Sequence, residues 1–379
     1  MTASGYFDHN ATTPLDPRVR EAMLPWLGQR WGNPSSAHRF GRMAREAVEQ
    51  ARDRVATLLG ARPVEIVFTA SGSEANNTVV ASCCPPGGTG RLVVSALEHP
   101  SVRRAAARAA GHGFEVVTVP PGVDGLVSAE AFAGALTGET RLACLMLANN
   151  ELGTIQPVRE VAEVCRRHSV PLLCDAVQAA GKIPVDVGEL GADFVVVGAH
   201  KFHGPTGAAA LWVRPGRDLE PLLVGGSQER RRRAGTSDVA ALVGFGRACE
   251  LASSELAERG AQLSVLRDRF ESGLERIAGA TVHCKRAPRL PNTSHVAFDG
   301  VTAADLMMRL DLAGQAVSTG SACSSGAVES SPVLAAIGLD EAEARASLRV
   351  SFGITNTADE VDELLAVLRR ELEALGVVA

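Results

Sequence analysis

The sequence predicts an α/β protein with a seven-stranded, mostly parallel sheet in a large domain and a smaller α+β domain. Two observations support this class. Between about residues 60 and 213, short apolar runs alternate with segments long enough to form crossover helices, which is typical of doubly wound parallel sheets. The runs are also rich in Val, Leu and Ile without polar–apolar alternation, as expected of strands that are covered on both faces.

The elements follow in order along the chain. Asp16-Pro17 combines an acidic cap with a first-turn proline and predicts a helix start, and an apolar stripe from Met43 to Leu58 predicts a second helix that stops at Gly60. Seven strands are predicted next, at residues 64–69, 92–96, 114–119, 142–148, 171–175, 193–198 and 208–213. A crossover helix is expected at 157–168.

The pattern changes near residue 257. A helical segment at 255–277 precedes short strands at 281–283 and 294–298, a Gly/Ser segment at 318–326, a strand at 347–352 and a final helix at 359–375. We therefore predict a large domain over 15–256 and a small domain formed by 1–14 and 257–379.

Composition excludes several function classes. The net charge is −5, from 38 Lys+Arg against 43 Asp+Glu, which argues against direct nucleic-acid or membrane-surface binding. The N-terminus lacks the basic and apolar parts of a signal peptide, and the apolar runs are too short to span a membrane. Eight cysteines without a CxxC pair fit neither a disulfide framework nor a zinc module. We expect a cytoplasmic protein without a metal site.

Polar residues follow most of the predicted strands. Ligands of open parallel sheets bind beyond the carboxyl ends of the strands, so we expect these residues to meet at one edge. The candidates are Gly72, Ser73, His99, Asn150, Asp175, Gln178, His200 and Lys201. No Walker or GxGxxG pattern is present, which weakens a nucleotide-binding interpretation.

Each candidate also has an ordinary structural interpretation. Gly72 and Ser73 open either a phosphate site or a simple capped helix, and His99 alone could be structural. Together the candidates suit pyridoxal 5′-phosphate (PLP), which needs a helix N-terminus for its phosphate, a lysine for its aldehyde and a carboxylate for its ring nitrogen. With a single tyrosine in the chain, His99 is the expected cover for the ring. Lys201 and Asp175 supply the other two groups.

Cys323 lies in the Gly/Ser-rich segment 318–326. This composition predicts a flexible, exposed loop, on which a thiol is reactive; the alternative is a small residue buried near a turn. The other seven cysteines are interpreted as core or incidental residues. Arg230–Arg233, a run of four arginines, favours a solvated loop or subunit contact over nucleic-acid binding.

Seven motifs, in this order, resemble those of the cysteine desulfurases of the NifS/IscS type, which are PLP enzymes of fold type I in the class-V aminotransferase group. The resemblance extends from Asp8 to Gly353. The motifs are Gly32-Asn33-Pro34-Ser35-Ser36, Glu98-His99, Asn149-Asn150-Glu151, Asp175-Ala176-Val177-Gln178, His200-Lys201, Arg233-Ala234-Gly235-Thr236 and Gly320-Ser321-Ala322-Cys323.

The resemblance implies a role for each site residue. Lys201 would bind PLP as a Schiff base, Asp175 would pair with the ring nitrogen, and His99 would stack on the ring and transfer protons. Arg349, with Asn33 nearby, would bind the substrate carboxylate, and Cys323 would attack the sulfur of L-cysteine to leave L-alanine and a persulfide. The remaining contacts would come from Asn150 and Gln178 to the ring hydroxyl, and from Gly72, Ser73, His200 and the neighbouring subunit's Thr236 to the phosphate.

The resemblance also implies a homodimer with shared sites and a protein that accepts the sulfur. Gly198 stands where the family commonly has Ser, which would remove one phosphate bond. The chain ends at Ala379, soon after its last predicted helix, so the acceptor could serve iron–sulfur assembly, tRNA thiolation, DNA sulfur modification or a biosynthetic pathway. The alternatives are a selenocysteine lyase, another PLP enzyme on this scaffold, or a non-catalytic sulfur carrier.

Overall fold

A computed structural model describes residues 5–319 and 331–377 and confirms the predicted α/β class. Its large sheet has the order β1-β7-β6-β5-β4-β2-β3. Only β7 runs antiparallel to its neighbours, so the sheet is mostly parallel. The strands are β1 (Ile66–Thr69), β2 (Gly90–Ser95), β3 (Phe114–Val119), β4 (Thr140–Cys144), β5 (Leu172–Asp175), β6 (Phe194–Gly198) and β7 (Ala209–Val213).

The predicted strands are all present, and the largest difference lies at the end of the fourth. Regular pairing stops at Cys144, although the amides of Leu145 and Leu147 still donate to Leu173 and Asp175 of β5. Both faces of the sheet are covered as predicted: in β6, Val195 and Val197 pack into one apolar core, while Phe194 and Val196 pack into the other.

Helices cover both faces of the large sheet and one side of a second, smaller sheet. No described helix combines the length and apolar character needed to cross a membrane. The helices are α1 (Pro17–Gly28), α2 (Arg39–Leu58), α3 (Gly72–Cys83), α4 (Pro100–Gly111), α5 (Ala129–Ala135), α6 (Val158–Arg167), α7 (Val187–Leu190), α8 (Val239–Leu274), α9 (Ala303–Leu312), α10 (Pro332–Ala336), α11 (Glu341–Arg345) and α12 (Ala358–Ala374).

The second sheet is antiparallel, with β9 (Thr293–Phe298) between β8 (Ala280–Val282) and β10 (Ser347–Ser351). It has its own apolar core with α9, α12 and the second half of α8.

The helix predicted from residue 255 in fact begins at Val239 and runs without interruption for 36 residues. Its first half contributes Phe245 to the large core, and its second half contributes Phe270 to the small one. The pattern changes near residue 257 because the helix changes packing partner, not because it starts there. The proposed domain boundary therefore falls inside α8.

The N-terminal segment connects the two sheets. Asp8 forms a bridge with Ser351 of β10, and further along the segment the amide of Thr13 donates to the carbonyl of His200, just after β6. This path carries Asn10 into the space between the sheets, where it is 1% exposed.

The run of arginines is not uniformly solvated, which corrects part of the sequence interpretation. Arg230 and Arg231 are exposed, but Arg232 donates to the carbonyls of Val64 and Ile66. Arg233 forms an ion pair with Glu74 at 2.8 Å. These inward contacts attach the segment to the start of β1 and to α3.

Glu229 anchors the same segment from its other end. Its carboxylate pairs with Arg52 at 2.7 Å, and both side chains are about 95% buried, at 5% and 4% exposed. It also accepts the amide of Phe68 in β1. Glu229 has a positive φ of 46°, a conformation that costs energy in a non-glycine residue, so the buried contacts must hold it there.

Glu229→Ala should lower the free energy of unfolding by about 3 kcal/mol, because the buried Arg52 guanidinium loses its buried carboxylate partner, while its ion pair with the half-exposed Glu49 remains. Urea unfolding would measure the change. Glu275→Ala is the matched control: its pair with Lys285 is exposed, so a change below about 0.5 kcal/mol is expected. Equal effects of the two substitutions would contradict this account.

Candidate active site

The polar residues predicted to meet at one edge of the sheet do so. Because β7 is antiparallel to both β1 and β6, strands β1, β2, β4, β5 and β6 all end at the same edge. Asp175 ends β5, and His200 and Lys201 follow β6 in a single 3-10 turn. His99 follows β2, and Gly72 starts α3 after β1.

Asp175 is 5% exposed and its carboxylate accepts two hydrogen bonds. Asn76 Nδ2, on α3, donates to one oxygen at 2.7 Å, and the amide of Val177 donates to the other at 3.0 Å. Both donors are neutral. A protonated ring nitrogen would supply the cationic partner that a buried carboxylate requires.

Lys201 points its amine toward the N-terminal segment. Nζ donates to the carbonyl of Asn10 at 2.6 Å and to that of Ala11 at 2.7 Å. Gln178 Nε2 donates to the same Asn10 carbonyl at 2.8 Å. Two predicted cofactor residues therefore share one acceptor that the sequence analysis did not identify as part of the site.

The two predicted histidines are both neutral at pH 7. His99 Nδ1 accepts the amide of Ser101 at 3.1 Å and caps α4, so its ring proton lies on Nε2. Burial lowers the pKa of His99, the Asp175 charge opposes that shift and Lys201 adds to it. Burial and Lys201 lower the pKa of His200 to about 4. His99 thus lies in the electrostatic field of both other predicted groups.

The N-terminus of α3 is compatible with a phosphate. Ser71 caps the helix by accepting the amide of Glu74, and the first amides of any helix lack partners within it. A Cβ atom at Gly72 would lie 2.8 Å from a methyl group of Val177, so the turn approaches the residues after β5 too closely for a side chain. Ser73 and Thr236 are exposed.

Arg349 lies on β10 and is 3% exposed. Its Nη2 donates to Asp8 at 2.6 Å and its Nη1 to the carbonyl of Asn150 at 3.1 Å. Its buried Nε has no hydrogen-bond partner within the described residues. Asn33 is exposed and accepts the amide of Ser35, so its placement near Arg349 stays a prediction.

Cys323 lies outside the described residues. The seven described cysteines are free thiols, all buried or half-buried. Burial raises the pKa of each, to about 11 for Cys284 and about 12 for Cys83 and Cys165. These thiols are therefore protonated near neutral pH, and a thiol in that state is a weak nucleophile.

Three polar residues of the site were not singled out from the sequence. They are Asn76, which donates to Asp175, Lys182, which donates to Asn10 and Gln178, and Asn10 itself. Asn10 lies within the stretch that begins at Asp8 and resembles the NifS/IscS-type enzymes, and this resemblance was the available signal. Asn76 and Lys182 lie within a helix and a turn whose inward faces depend on tertiary packing.

Glu98 is a second buried carboxyl near the site, at 1% exposed. One oxygen accepts Ser95 Oγ and the amide of Met146, each at 2.7 Å. Burial raises the pKa of Glu98 to about 8, and the Asp175 charge adds to the effect. Glu98 is therefore protonated at pH 7.

The donor set fits PLP on this structure alone. Among the described residues, a buried carboxylate without a cationic partner, an amine, a neutral histidine and a helix N-terminus face one edge, and Arg349 presents a Nε that has no partner there. These are the groups that the ring nitrogen, the aldehyde, the ring face, the phosphate and an amino-acid carboxylate require.

Comparison with known proteins agrees with this set. The family model of the class-V aminotransferases matches residues 5–364, and the chain belongs to this family, whose members use PLP. It is 40% identical to a cysteine desulfurase IscS from Dictyoglomus turgidum, over 100% of this chain and 97% of the relative. The chain also superposes on a solved NifS-like protein with a TM-score of 0.91, at 35% identity over 98% of this chain and all of that one. A structure of SspA in complex with cysteine matches with a TM-score of 0.83, at 33% identity over 93% of this chain and 100% of that one.

Glu98 and Asp175 provide a matched pair of substitutions. Glu98→Gln replaces a protonated carboxyl by a neutral isostere, so we expect cofactor affinity to stay within about twofold at pH 7. Asp175→Asn would remove the charge expected opposite the ring nitrogen and should lower activity at least about 100-fold. Bound-cofactor absorbance and turnover would measure both.

Stability against pH checks the Glu98 assignment separately. Its pKa is about 8 in the folded protein and about 4.3 in an unfolded chain, so between these values the folded state binds the extra proton. Wild-type protein should lose stability relative to Glu98→Gln as pH rises from 5 to 8. Parallel urea-unfolding curves for the two proteins over this range would contradict the assignment.

Proposed function

We infer that the protein is a PLP-dependent cysteine desulfurase that converts L-cysteine to L-alanine and passes the sulfur to Cys323. The observation that carries this inference is the meeting of Asp175, His99 and Lys201 at one sheet edge, with the buried Arg349 facing the same space from the small sheet. The relatives named cysteine desulfurase, and the related structure that holds cysteine, support the same substrate.

Each residue has a defined task toward the cofactor. Lys201 would bind the aldehyde covalently, Asp175 would keep the ring nitrogen protonated, and His99 would cover the ring face. When bound, PLP supplies an electron sink that allows negative charge to develop next to the carbon–sulfur bond. The remaining contacts would come from Asn150 and Gln178 at the ring oxygen, and from Gly72, Ser73 and His200 at the phosphate.

Substrate binding depends on Arg349. Asp8 and the Asn150 carbonyl fix the guanidinium, and its unpartnered Nε leaves a donor for a carboxylate. Bidentate recognition of a carboxylate is the task to which arginine is suited. The Lys201 amine would then move the Cα proton of the substrate, and His99 would offer its Nε2 proton.

The sulfur step requires a thiolate that can reach the substrate. A Cys323 thiolate would attack the substrate sulfur, forming an S–S bond while the C–S bond breaks. The electron pair of the broken C–S bond stays with the carbon skeleton, which becomes alanine after protonation. The described residues on either side of Cys323 contact the site. The backbone of Ser318 pairs with that of Arg349, and Ser331 Oγ donates to Glu151 at 2.6 Å.

The assembly and the destination of the sulfur form part of the same proposal. Leu24 and Leu27 of α1 and the neighbouring Trp31 are 53–66% exposed, and such an apolar surface suits the contact of a homodimer. Exposed Thr236 would reach the partner's phosphate site. The acceptor would be a protein of iron–sulfur assembly, tRNA thiolation, DNA sulfur modification or biosynthesis, in the cytoplasm.

Cys323→Ala should abolish release of alanine and sulfide from cysteine, with a loss of at least about 100-fold, while the absorbance of bound PLP is unchanged. Cys284→Ala is the matched control, since burial makes that thiol a poor nucleophile and its loss should leave turnover intact. A native rate of sulfide release from Cys323→Ala would show that the nucleophile is wrongly assigned.

Arg349→Lys should raise KM for cysteine by about 10–100-fold with a smaller effect on kcat, because lysine lacks the planar fork that binds a carboxylate through two bonds. Steady-state kinetics would measure this split. Arg345→Lys, at an exposed position paired with Glu341, should leave both constants unchanged. An unaltered KM in Arg349→Lys would place the substrate carboxylate elsewhere.

A further inference from the structure

A second lysine, Lys182, is hydrogen-bonded to residues of the site and has no assigned role. Lys182 is 6% exposed and follows β5 in the same turn region as Gln178. Its Nζ donates to Asn10 Oδ1 at 3.0 Å and to Gln178 Oε1 at 2.9 Å. Both acceptors are neutral amide oxygens.

These two bonds help to determine how both amides are oriented, and Asn292 Nδ2 also donates to Asn10 Oδ1 at 3.1 Å. With Oε1 held by Lys182, Gln178 presents Nε2 to the carbonyl of Asn10. With Oδ1 held, Asn10 presents Nδ2 to the carbonyl of Asn150 at 3.1 Å and to Thr293 at 2.9 Å. The Asn10 carbonyl is also the acceptor for Lys201 Nζ, so a continuous set of hydrogen bonds joins the two lysines.

The charged groups around Lys182 are cationic. Burial, then Lys201 and Arg349, lower its pKa well below the ordinary value. A positive charge on Lys182 would in turn lower the pKa of its three neighbouring histidines, and Arg259 lines the same small cavity. Those histidines are His9, His200 and His203.

Three carboxylates on the segments that contact Lys182 are bound to other partners. Asp8 pairs with Arg349, Asp16 with Arg18, and Asp175 accepts Asn76. None of them is a hydrogen-bond partner of Lys182 Nζ in the described part of the chain. A buried ammonium without a counter-ion is strongly disfavoured, and a lysine in that position loses its proton.

The sequence adds an independent observation. The chain contains only three lysines among its 38 basic residues, so arginine is its ordinary cation. Lys285 is exposed and pairs with Glu275, whereas Lys182 and Lys201 both lie in the site. Arginine cannot lose its proton in a protein, whereas lysine can. The presence of lysine at this buried position therefore fits a need for an uncharged amine.

We propose that Lys182 is a positioning residue of the active site, uncharged in the working enzyme, whose amine orients Asn10 and Gln178 beneath Lys201. This proposal rests on the proposed function only in that Lys201 is taken to bind the cofactor. An uncharged amine supplies two donors to the amides without placing a second positive charge beside the nitrogen of Lys201. A fixed cation at this position would repel the proton on that nitrogen.

The charge state can be tested on the holoenzyme through the pH titration of bound-cofactor absorbance. Lys182→Met should leave the midpoint within about half a unit, and Lys182→Arg, which adds a fixed charge, should lower it by about one unit or more. A midpoint that rises by more than about one unit in Lys182→Met would show that the native lysine is charged, and would overturn the proposal. If Lys182→Arg fails to hold the cofactor, the Lys182→Met titration still decides between the two states.

The positioning role has its own readout. Lys182→Met should lower kcat for alanine formation about tenfold, because Asn10 Oδ1 and Gln178 Oε1 each lose one donor, while Lys285→Met should leave kcat unchanged. An unaltered kcat in Lys182→Met would overturn the positioning role. Absence of alanine production by the wild-type protein would instead refute the proposed function, and the absorbance titration would still report the charge on Lys182.

Discussion

The site depends on the hydrogen bonds of one buried residue, Asn10. Its carbonyl accepts Lys201 and Gln178 from the large sheet, while its side chain contacts Thr293 of the small sheet and the carbonyl of Asn150. The N-terminal segment that carries it is therefore a structural part of the active site. Any displacement of this segment would change the position of the Lys201 amine, which we propose binds the cofactor.

Two buried carboxyls and two buried basic side chains near the site have different surroundings. Asp175 accepts two hydrogen bonds, whereas burial raises the pKa of Glu98 to about 8. Arg349 is paired with Asp8, but the partners of Lys182 Nζ among the described residues are amide oxygens. Environments that give neighbouring ionisable groups different pKa values are the usual means by which one site performs acid and base steps at neutral pH.

The same principle separates the thiols. Burial raises the pKa of each of the seven described cysteines, and none of them is solvent-exposed. A persulfide-forming thiol must ionise and reach both substrate and acceptor. Burial thus accounts for the low reactivity expected of these seven thiols, and this leaves Cys323 as the nucleophile in our proposal.

The sequence by itself determined the α/β class, the seven strands and most of the predicted site, because polar residues that directly follow parallel strands necessarily meet at one edge. Chain order alone was enough to predict that Asp175, His99 and Lys201 lie at this edge. Tertiary structure alone decided the contacts of Asn76 and Lys182, since each contact joins segments whose approach no local pattern encodes. It also decided that α8 begins at Val239, because a helix that packs first on one core and then on another has no single apolar stripe to read.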